Sequence, residues 1–582
     1  MSRIKTGAET LGLAHLGVVA LLTLAACDRQ ATSPPADALT GPQTVVADRL
    51  FVGDNILTMD DALADATAVA IRGEEIVWVG RAENWSGNAN ETVELGERSL
   101  LPGLIDAHGH LAFLALTVNL ANVASPPVGA VTTMASLKEV VRTYIDDRQI
   151  PPGQWVIGMG YDDSLIEEQR HPDRSDLDAI SRDHPIALIH VSGHLTTVNS
   201  MALDLSGITA ETPDPPGGAI RRQPGTNEPN GILEETATAP LRHIYYGGGD
   251  ATTGADLRKA LAMYAENGVT TVQDGGASWE IHEMVKEASI AGDVNLDVVL
   301  YPVGMDPTFS VPDGVPLGEY QDRVKVGGIK LLLDGSPQGK TAYLSEPYEV
   351  PPHGQRDDYR GYPMIPQAMT DERVAHFIGR GIPMLVHCNG DAAAEMLLDA
   401  LDKAGETMDL GDHRTVMIHA QTVREDQLDR MAELGVVPSY FSAHTFYWGD
   451  WHRDSVLGVE RASRISPTRT TLERGMPFTV HNDAPVVPPD MMRLLWATVN
   501  RITRSGQTLG EAQRISALEA IRAVTVHAAY QNFEEDLKGT LTPGKQADLV
   551  ILSANPVTVS PEQILDIEVV ETISRGVTVY QE

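Results

Sequence analysis

From about Leu100 to Ala529 the chain repeats one theme, a short apolar run followed by a helix-like stretch, and this recurrence constrains the fold most. Eight candidate strands stand out: Leu101–Ile105, Val269–Gln273, Leu296–Tyr301, Gly328–Leu333, Pro383–Val386, Thr415–Ile418, Val436–Tyr440 and Pro477–Val480. Short continuous apolar runs fit strands buried on both faces. Strands that alternate with helices run parallel, because each helix carries the chain back across the sheet. Eight such units predict an α/β protein built on a (β/α)8 TIM-type barrel. A stretch of about residues 112–256 separates the first two runs. No loop of that length stays structureless in a compact domain, so an inserted subdomain is expected after the first barrel strand.

Both chain ends differ from this middle. Leu50-Phe51-Val52, Thr67–Ile71 and Ile76–Val79 are strand-like, and so are Ala547–Leu552 and Val577–Tyr580. Ahead of them, Arg3 and Lys5 precede an apolar stretch from Leu11 to Ala26. That stretch is short for a membrane span and contains His15, so residues 1–26 are expected to be a cleaved signal. Leu24-Ala25-Ala26-Cys27 resembles a bacterial lipobox, which implies lipidation of Cys27 and membrane attachment through it. An ordinary secretory signal with an incidental cysteine is the alternative. The resemblance places the protein in a bacterial cell envelope. With Asp28 after the cysteine, the same resemblance implies the periplasmic side of the inner membrane more than the outer membrane. Residues 27–43 turn to Pro, Ala, Ser, Thr and Gly and are expected to form a flexible tether. Cys388 is the only other cysteine, which excludes an intramolecular disulfide once Cys27 is lipidated. The formal net charge of −36 repels phosphates and excludes a nucleic-acid partner.

Chemistry in such a barrel belongs at the C-terminal strand ends. His108 and His110 end the first run, in Leu101-Pro102-Gly103-Leu104-Ile105-Asp106-Ala107-His108-Gly109-His110. Strand alternation projects both from one face, as a divalent cation requires. Lys330 lies on the fourth run, His387 ends the fifth, His419 ends the sixth, and Asp483 follows the eighth. Each has a bland alternative: a hydrogen-bonded histidine, a snorkelling lysine or a helix-capping aspartate. Their order on strands 1, 4, 5, 6 and 8 favours a common site.

With these motifs the chain resembles the amidohydrolase superfamily, in the amidohydrolase-3 branch that includes N-substituted formamide deformylases. Lys330-Leu331 through Asp334-Gly335-Ser336, with Thr341-Ala342, is similar to the family's fourth-strand motif. Gly539 through Val550 is similar to its closing segment, which implies a small composite β-sandwich from residues 44–99 and 537–582 around a barrel at 100–536. The resemblance implies that His108, His110 and Asp483 hold one metal and His387 and His419 the other, with Lys330 bridging them as a carboxylated lysine. Two divalent ions are implied, zinc by the nitrogen and oxygen ligands, with manganese or iron as alternatives. A metal-bound hydroxide would then attack, and Asp483 would take its proton and pass it to the leaving amine.

Several residues depart from the pattern or stand outside it. His481, in His481-Asn482-Asp483, shares a strand face with Asp483 and complicates the ligand set. Cys388 is expected to face away from the lumen. His194, in Val191-Ser192-Gly193-His194, is a second candidate catalytic residue, with a structural imidazole as its alternative. The aromatic run His444–His452 is expected either to wall an apolar substrate pocket or to pack as a loop. Gly217-Gly218 and Asn230–Glu234 are expected to form a hairpin.

The reading is a metal-dependent hydrolase of C–N bonds other than peptide bonds, acting on a small-molecule amide, formamide or cyclic amide. A metal-dependent esterase or lactonase and a non-catalytic binding or regulatory lipoprotein are the alternatives, and homo-oligomerisation is left open.

Overall fold

The computed structural model describes residues 45–241, 253–306, 309–312, 314–352 and 354–582. The expected signal, Cys27 and the tether lie outside these residues.

Strands β1 (Val46–Val52), β2 (Ala68–Arg72), β3 (Glu75–Gly80) and β4 (Asn88–Glu94) form one sheet in the order β3-β2-β1-β4. The next run does not form the single strand expected over Leu101–Ile105. It divides into β5 (Ser99–Pro102), which joins a sheet with the C-terminal strands, and β6 (Leu104–Asp106), which enters the barrel. Gly103 is the break. Its N–H donates to the Asp548 carbonyl at 2.8 Å. A Cβ there would lie 2.3 Å from Thr270 Oγ1 and 2.5 Å from Thr270 Cγ2. The backbone therefore crosses from one sheet to the other at a point where no side chain fits.

After β6 and the helix Leu111–Thr117 comes a separate sheet of β7 (Ala121–Asn122), β8 (Val156–Tyr161), β9 (Ile186–His190), β10 (Leu195–Val198), β11 (Gly218–Arg222) and β12 (Pro229–Glu235). Its order is β11-β12-β10-β9-β8-β7, with β11 and β12 paired as an antiparallel hairpin. This sheet is narrower than the expected insertion of 112–256. Leu111 and Leu114 of one flank and Leu257 and Leu261 of the other share the barrel's own core, so both flanking helices belong to the barrel layer.

The barrel strands are β6, β13 (Val269–Ala277), β14 (Asp297–Pro302), β17 (Ile329–Leu332), β18 (Met384–Cys388), β19 (Val416–His419), β20 (Val437–Tyr440) and β21 (Thr479–Val480). The pair β15 (Tyr320–Gln321) and β16 (Val324–Val326) lies beside β14. Neighbouring strands within each half of the barrel pair in parallel, and a parallel bridge from Val303 to Lys330 joins the halves. Beyond β21 the Asp483 N–H donates to the His108 carbonyl at 3.0 Å and the His110 N–H to the Ala484 carbonyl at 2.8 Å. These bonds tie the last strand end to the first. β18, β19 and β20 are buried at every position, which is why they read as continuous apolar runs. The architecture is a TIM-barrel-like α/β fold.

The C-terminal strands β22 (Leu549–Leu552), β23 (Val569–Ser574) and β24 (Val577–Gln581) complete a sheet in the order β24-β23-β22-β5. Phe51, Val69 and Ile71 of the N-terminal sheet share a core with Leu549, Ile551 and Ile573 of this one. An ion pair of 2.7 Å from Arg49 to Glu571 also links them.

Gly103→Ala should destabilise the protein by about 1–3 kcal/mol, the range for overpacking a tight interior. Urea denaturation of Gly103→Ala, Thr270→Ala and the double variant tests this. The double variant should recover part of the loss, and strict additivity would show that Thr270 does not set the requirement for glycine.

Candidate metal centre

The strand ends bring His108, His110, Lys330, His387, His419 and Asp483 to one end of the barrel. Two of them have left-handed backbone conformations that non-glycine residues rarely adopt, with φ of 70° at His419 and 58° at Asp483. Each such residue costs of order 1 kcal/mol and persists because its surroundings over-determine it. Room at the first strand comes from β13. A Cβ on Gly275 would lie 2.1 Å from His108 Cε1.

Three of the histidines are held by Nδ1 and present Nε2 to the site. His108 Nδ1 is 2.8 Å from Gln273 Oε1, His387 Nδ1 is 3.2 Å from Asp334 Oδ1, and His419 Nδ1 is 3.2 Å from His481 Nε2. Asp334 is fixed in turn by the backbone N–H groups of Tyr343, Asn389 and Gly390. His481 donates or accepts at Ser439 Oγ, 2.8 Å from its Nδ1. It therefore sits beneath His419 as a support. Outer partners of this kind fix the tautomer and ring orientation of metal-ligating histidines.

Asp483 lies at the centre. Its Oδ1 is 3.2 Å from His110 Nε2 and 3.6 Å from His108 Nε2, and Oδ2 is 3.9 Å from His419 Nε2. Oδ1 is buried and has no hydrogen-bond partner. Carboxylate oxygens and imidazole nitrogens thus converge on one buried point, with Lys330 Nζ beside them, which is the donor set of a cation site. The spacing suits it too, since ligand bonds of about 2.0–2.2 Å place neighbouring donor atoms roughly 3–3.5 Å apart. His108, His110 and Asp483 therefore fit a divalent metal. His387 and His419 stand next to each other with ring centroids 4.6 Å apart, and the His108 and His419 rings are 5.8 Å apart.

Burial sets the protonation states. Desolvation holds His108, His387 and His419 well below the ordinary imidazole range, so they are neutral and able to ligate. Burial also raises the Asp483 carboxyl, but the neighbouring His110 outweighs it and keeps the group ionised. Lys330 is buried, with Nζ 3.1 Å from His108 Nε2. Desolvation lowers its pKa to about 8, so a neutral amine is accessible near physiological pH.

His110, Lys330, His387, His419 and Asp483 face a chamber of about 620 Å³ whose apolar wall includes Phe113, Leu332 and Met364. His194 faces it from the inserted sheet. Its Nδ1 is 2.7 Å from Glu235 Oε2, and its ring centroid is 5.1 Å from that of His387. The aromatic run His444–His452 does not line this chamber. Its members are mostly buried, with His444 Nδ1 2.9 Å from His452 Nε2 and the Trp448 indole N–H donating to Asp162 at 2.7 Å. Asp162 pins the run from the inserted sheet and turns it toward a neighbouring cavity. Cys388 is buried and packed among apolar residues.

The model of the amidohydrolase family matches residues 91–580. The chain belongs to the amidohydrolase family. It is 28% identical over 554 residues to an N-substituted formamide deformylase from Arthrobacter pascens, covering 92% of this chain and 99% of that protein. It is 29% identical over 550 residues to the Protein LONG AFTER FAR-RED 3 of Arabidopsis thaliana, covering 89% of each. A solved structure of an uncharacterized metal-dependent hydrolase from Pyrococcus horikoshii OT3 superposes with a TM-score of 0.67 at 22% identity, covering 88% of this chain and 99% of that one.

Four supporting residues carry no mark in the sequence. Gln273 closes the second apolar run, Asp334 lies in a motif with no assigned role, and Ser439 and Glu235 look like ordinary polar positions. Gln273→Leu should keep the fold and lower metal affinity about 10–100-fold, the usual effect of removing an outer partner of a ligand histidine. Competition against a chromogenic chelator measures it, and unchanged affinity would mean that Gln273 does not orient His108.

Proposed function

We propose that this amidohydrolase cleaves the C–N bond of a small non-peptide amide, formamide or cyclic amide. The observation that carries the reading is the unpartnered Asp483 Oδ1 amid inward-facing imidazoles at the floor of a largely apolar chamber. His108, His110 and Asp483 would hold one divalent ion and His387 and His419 a second, with Lys330 between them as a carboxylated lysine. Zinc suits this nitrogen and oxygen set best, and such ions supply electrophilic activation of water and of a carbonyl. Similarity to an N-substituted formamide deformylase supports the choice of bond.

The chain's own groups supply the rest. Asp483 is ionised and faces the chamber, so it accepts a proton from the attacking water. It then returns that proton to the leaving nitrogen, which departs as an amine only when protonated. His194, oriented by Glu235, faces the same space and hydrogen-bonds the bound carbonyl compound. The apolar wall admits an N-alkyl or N-aryl group and excludes water from it.

A panel of N-substituted formamides, cyclic amides and matched esters and lactones tests the bond assignment. Amides should give the higher kcat/KM, and turnover of esters alone would reverse it. Asp483→Asn keeps the shape and removes the proton acceptor, so turnover should fall at least about 100-fold while the fold and much of the metal remain. Wild-type turnover in a folded, metal-loaded Asp483→Asn would move the proton to another group. Lys330→Ala should lose metal and activity and regain part of both with a short carboxylic acid. Full activity without the acid would show that Lys330 does not bridge.

A further inference from the structure

Beside the metal chamber lies a second cavity of about 320 Å³, within the roughly 300–1,000 Å³ typical of small-molecule sites. The two share a thin wall. Phe113 lines the metal chamber and Leu114 the second cavity. Ser192 and Val191 divide in the same way, and Val486 lines both. Most of the second cavity is apolar, with Leu114, Leu120, Met159 and Met263 among its lining residues.

Its polar atoms fall into two groups. The acceptors are already occupied. Asp162 Oδ2 takes the Trp448 indole N–H at 2.7 Å, and Oδ1 takes the N–H and hydroxyl of Ser164 at 2.9 and 2.6 Å. Asn122 is likewise engaged, accepting from the Ala124 N–H and donating to the Val128 carbonyl. Donors are left over. The Ser125 hydroxyl and Arg504 Nε are buried and have no partner among the described residues. Both residues line this cavity, and the Arg504 guanidinium also donates to the carbonyl of Pro126, the residue after Ser125.

Arg504 makes no direct ion pair, and Asp162 and Asp450 act on it only from a distance. No carboxylate lies within ion-pair distance of it among the described residues, in a chain that carries 80 acidic and 44 basic side chains. Its guanidinium instead lies 5.9 and 5.7 Å from the rings of Phe446 and Tyr447. Burial lowers its pKa from the ordinary guanidinium value, and the more distant Asp162 does not make up the loss. An anion at this spot would supply both the missing acceptor and a charge in direct contact.

We propose that the second cavity binds a small apolar carboxylate, with its tail against Leu114, Leu120, Met159 and Met263 and its head on Arg504 and Ser125. The site is distinct from the metal centre and does not depend on which bond the enzyme cleaves.

Isothermal titration calorimetry of octanoate and 1-octanol into the metal-loaded protein tests the proposal. Octanoate should bind at least about tenfold more tightly than the uncharged alcohol, and Arg504→Gln should abolish that preference. Val128→Phe, which fills the cavity from its half-buried edge, should weaken both ligands. Thermal melts confirm folding, and Ser125→Ala serves as a second head-group variant if Arg504→Gln melts early. Two results would overturn the proposal. One is no octanoate binding to the wild type. The other is octanoate affinity that is the same in the wild type and in Arg504→Gln, which would place the carboxylate on the metal centre instead.

Discussion

Asp483 Oδ1 is buried with two imidazole nitrogens 3.2 and 3.6 Å away. Left alone, such a cluster is unfavourable. An ionised carboxylate out of water costs several kcal/mol unless it is paired. A divalent cation turns the same arrangement into attraction. Much of the barrel's polar interior follows from this. Gln273, Asp334 and His481 each take an Nδ1 so that an Nε2 turns inward. Left-handed backbone at His419 and Asp483 aims their side chains, and the bare α-carbon of Gly275 leaves space for His108.

The scaffold makes this precision affordable. Each ligand stands on or just beyond a strand whose side chains are buried on both faces, so rotamers are fixed by packing as well as by hydrogen bonds. The inserted sheet plays a different part. It covers the barrel mouth, brings His194 and Glu235 to the metal chamber, and uses Asp162 to seat Trp448 beside the second cavity. Catalytic groups thus come from rigid strand ends, and the shape of the surrounding space comes from the insertion.

The strand ends were legible because their residues carry two signals at once, an apolar run and a terminal histidine. Val386-His387 and Ile418-His419 show both, and the barrel order adds a third constraint. Supporting contacts were not legible, because they join residues far apart in the chain. His108 and Gln273 are 165 positions apart, and His194 and Glu235 are 41. Nothing local distinguishes a glutamine that orients a ligand from one that faces solvent. The run Leu101–Ile105 misled for another reason. Both halves are apolar, and only the clash with Thr270, which depends on the folded barrel, shows that Gly103 must divide them. The aromatic run His444–His452 was recognisable as a cluster, but its direction is set by Asp162 across 286 residues.

The account stands or falls on whether these side chains hold metal. Elemental analysis of the protein, purified without chelators and then dialysed against zinc or manganese, addresses that directly. The predicted result is about two divalent ions per chain, falling when Asp483 or Lys330 is replaced by alanine. A folded wild-type chain that takes up neither metal would contradict the central claim.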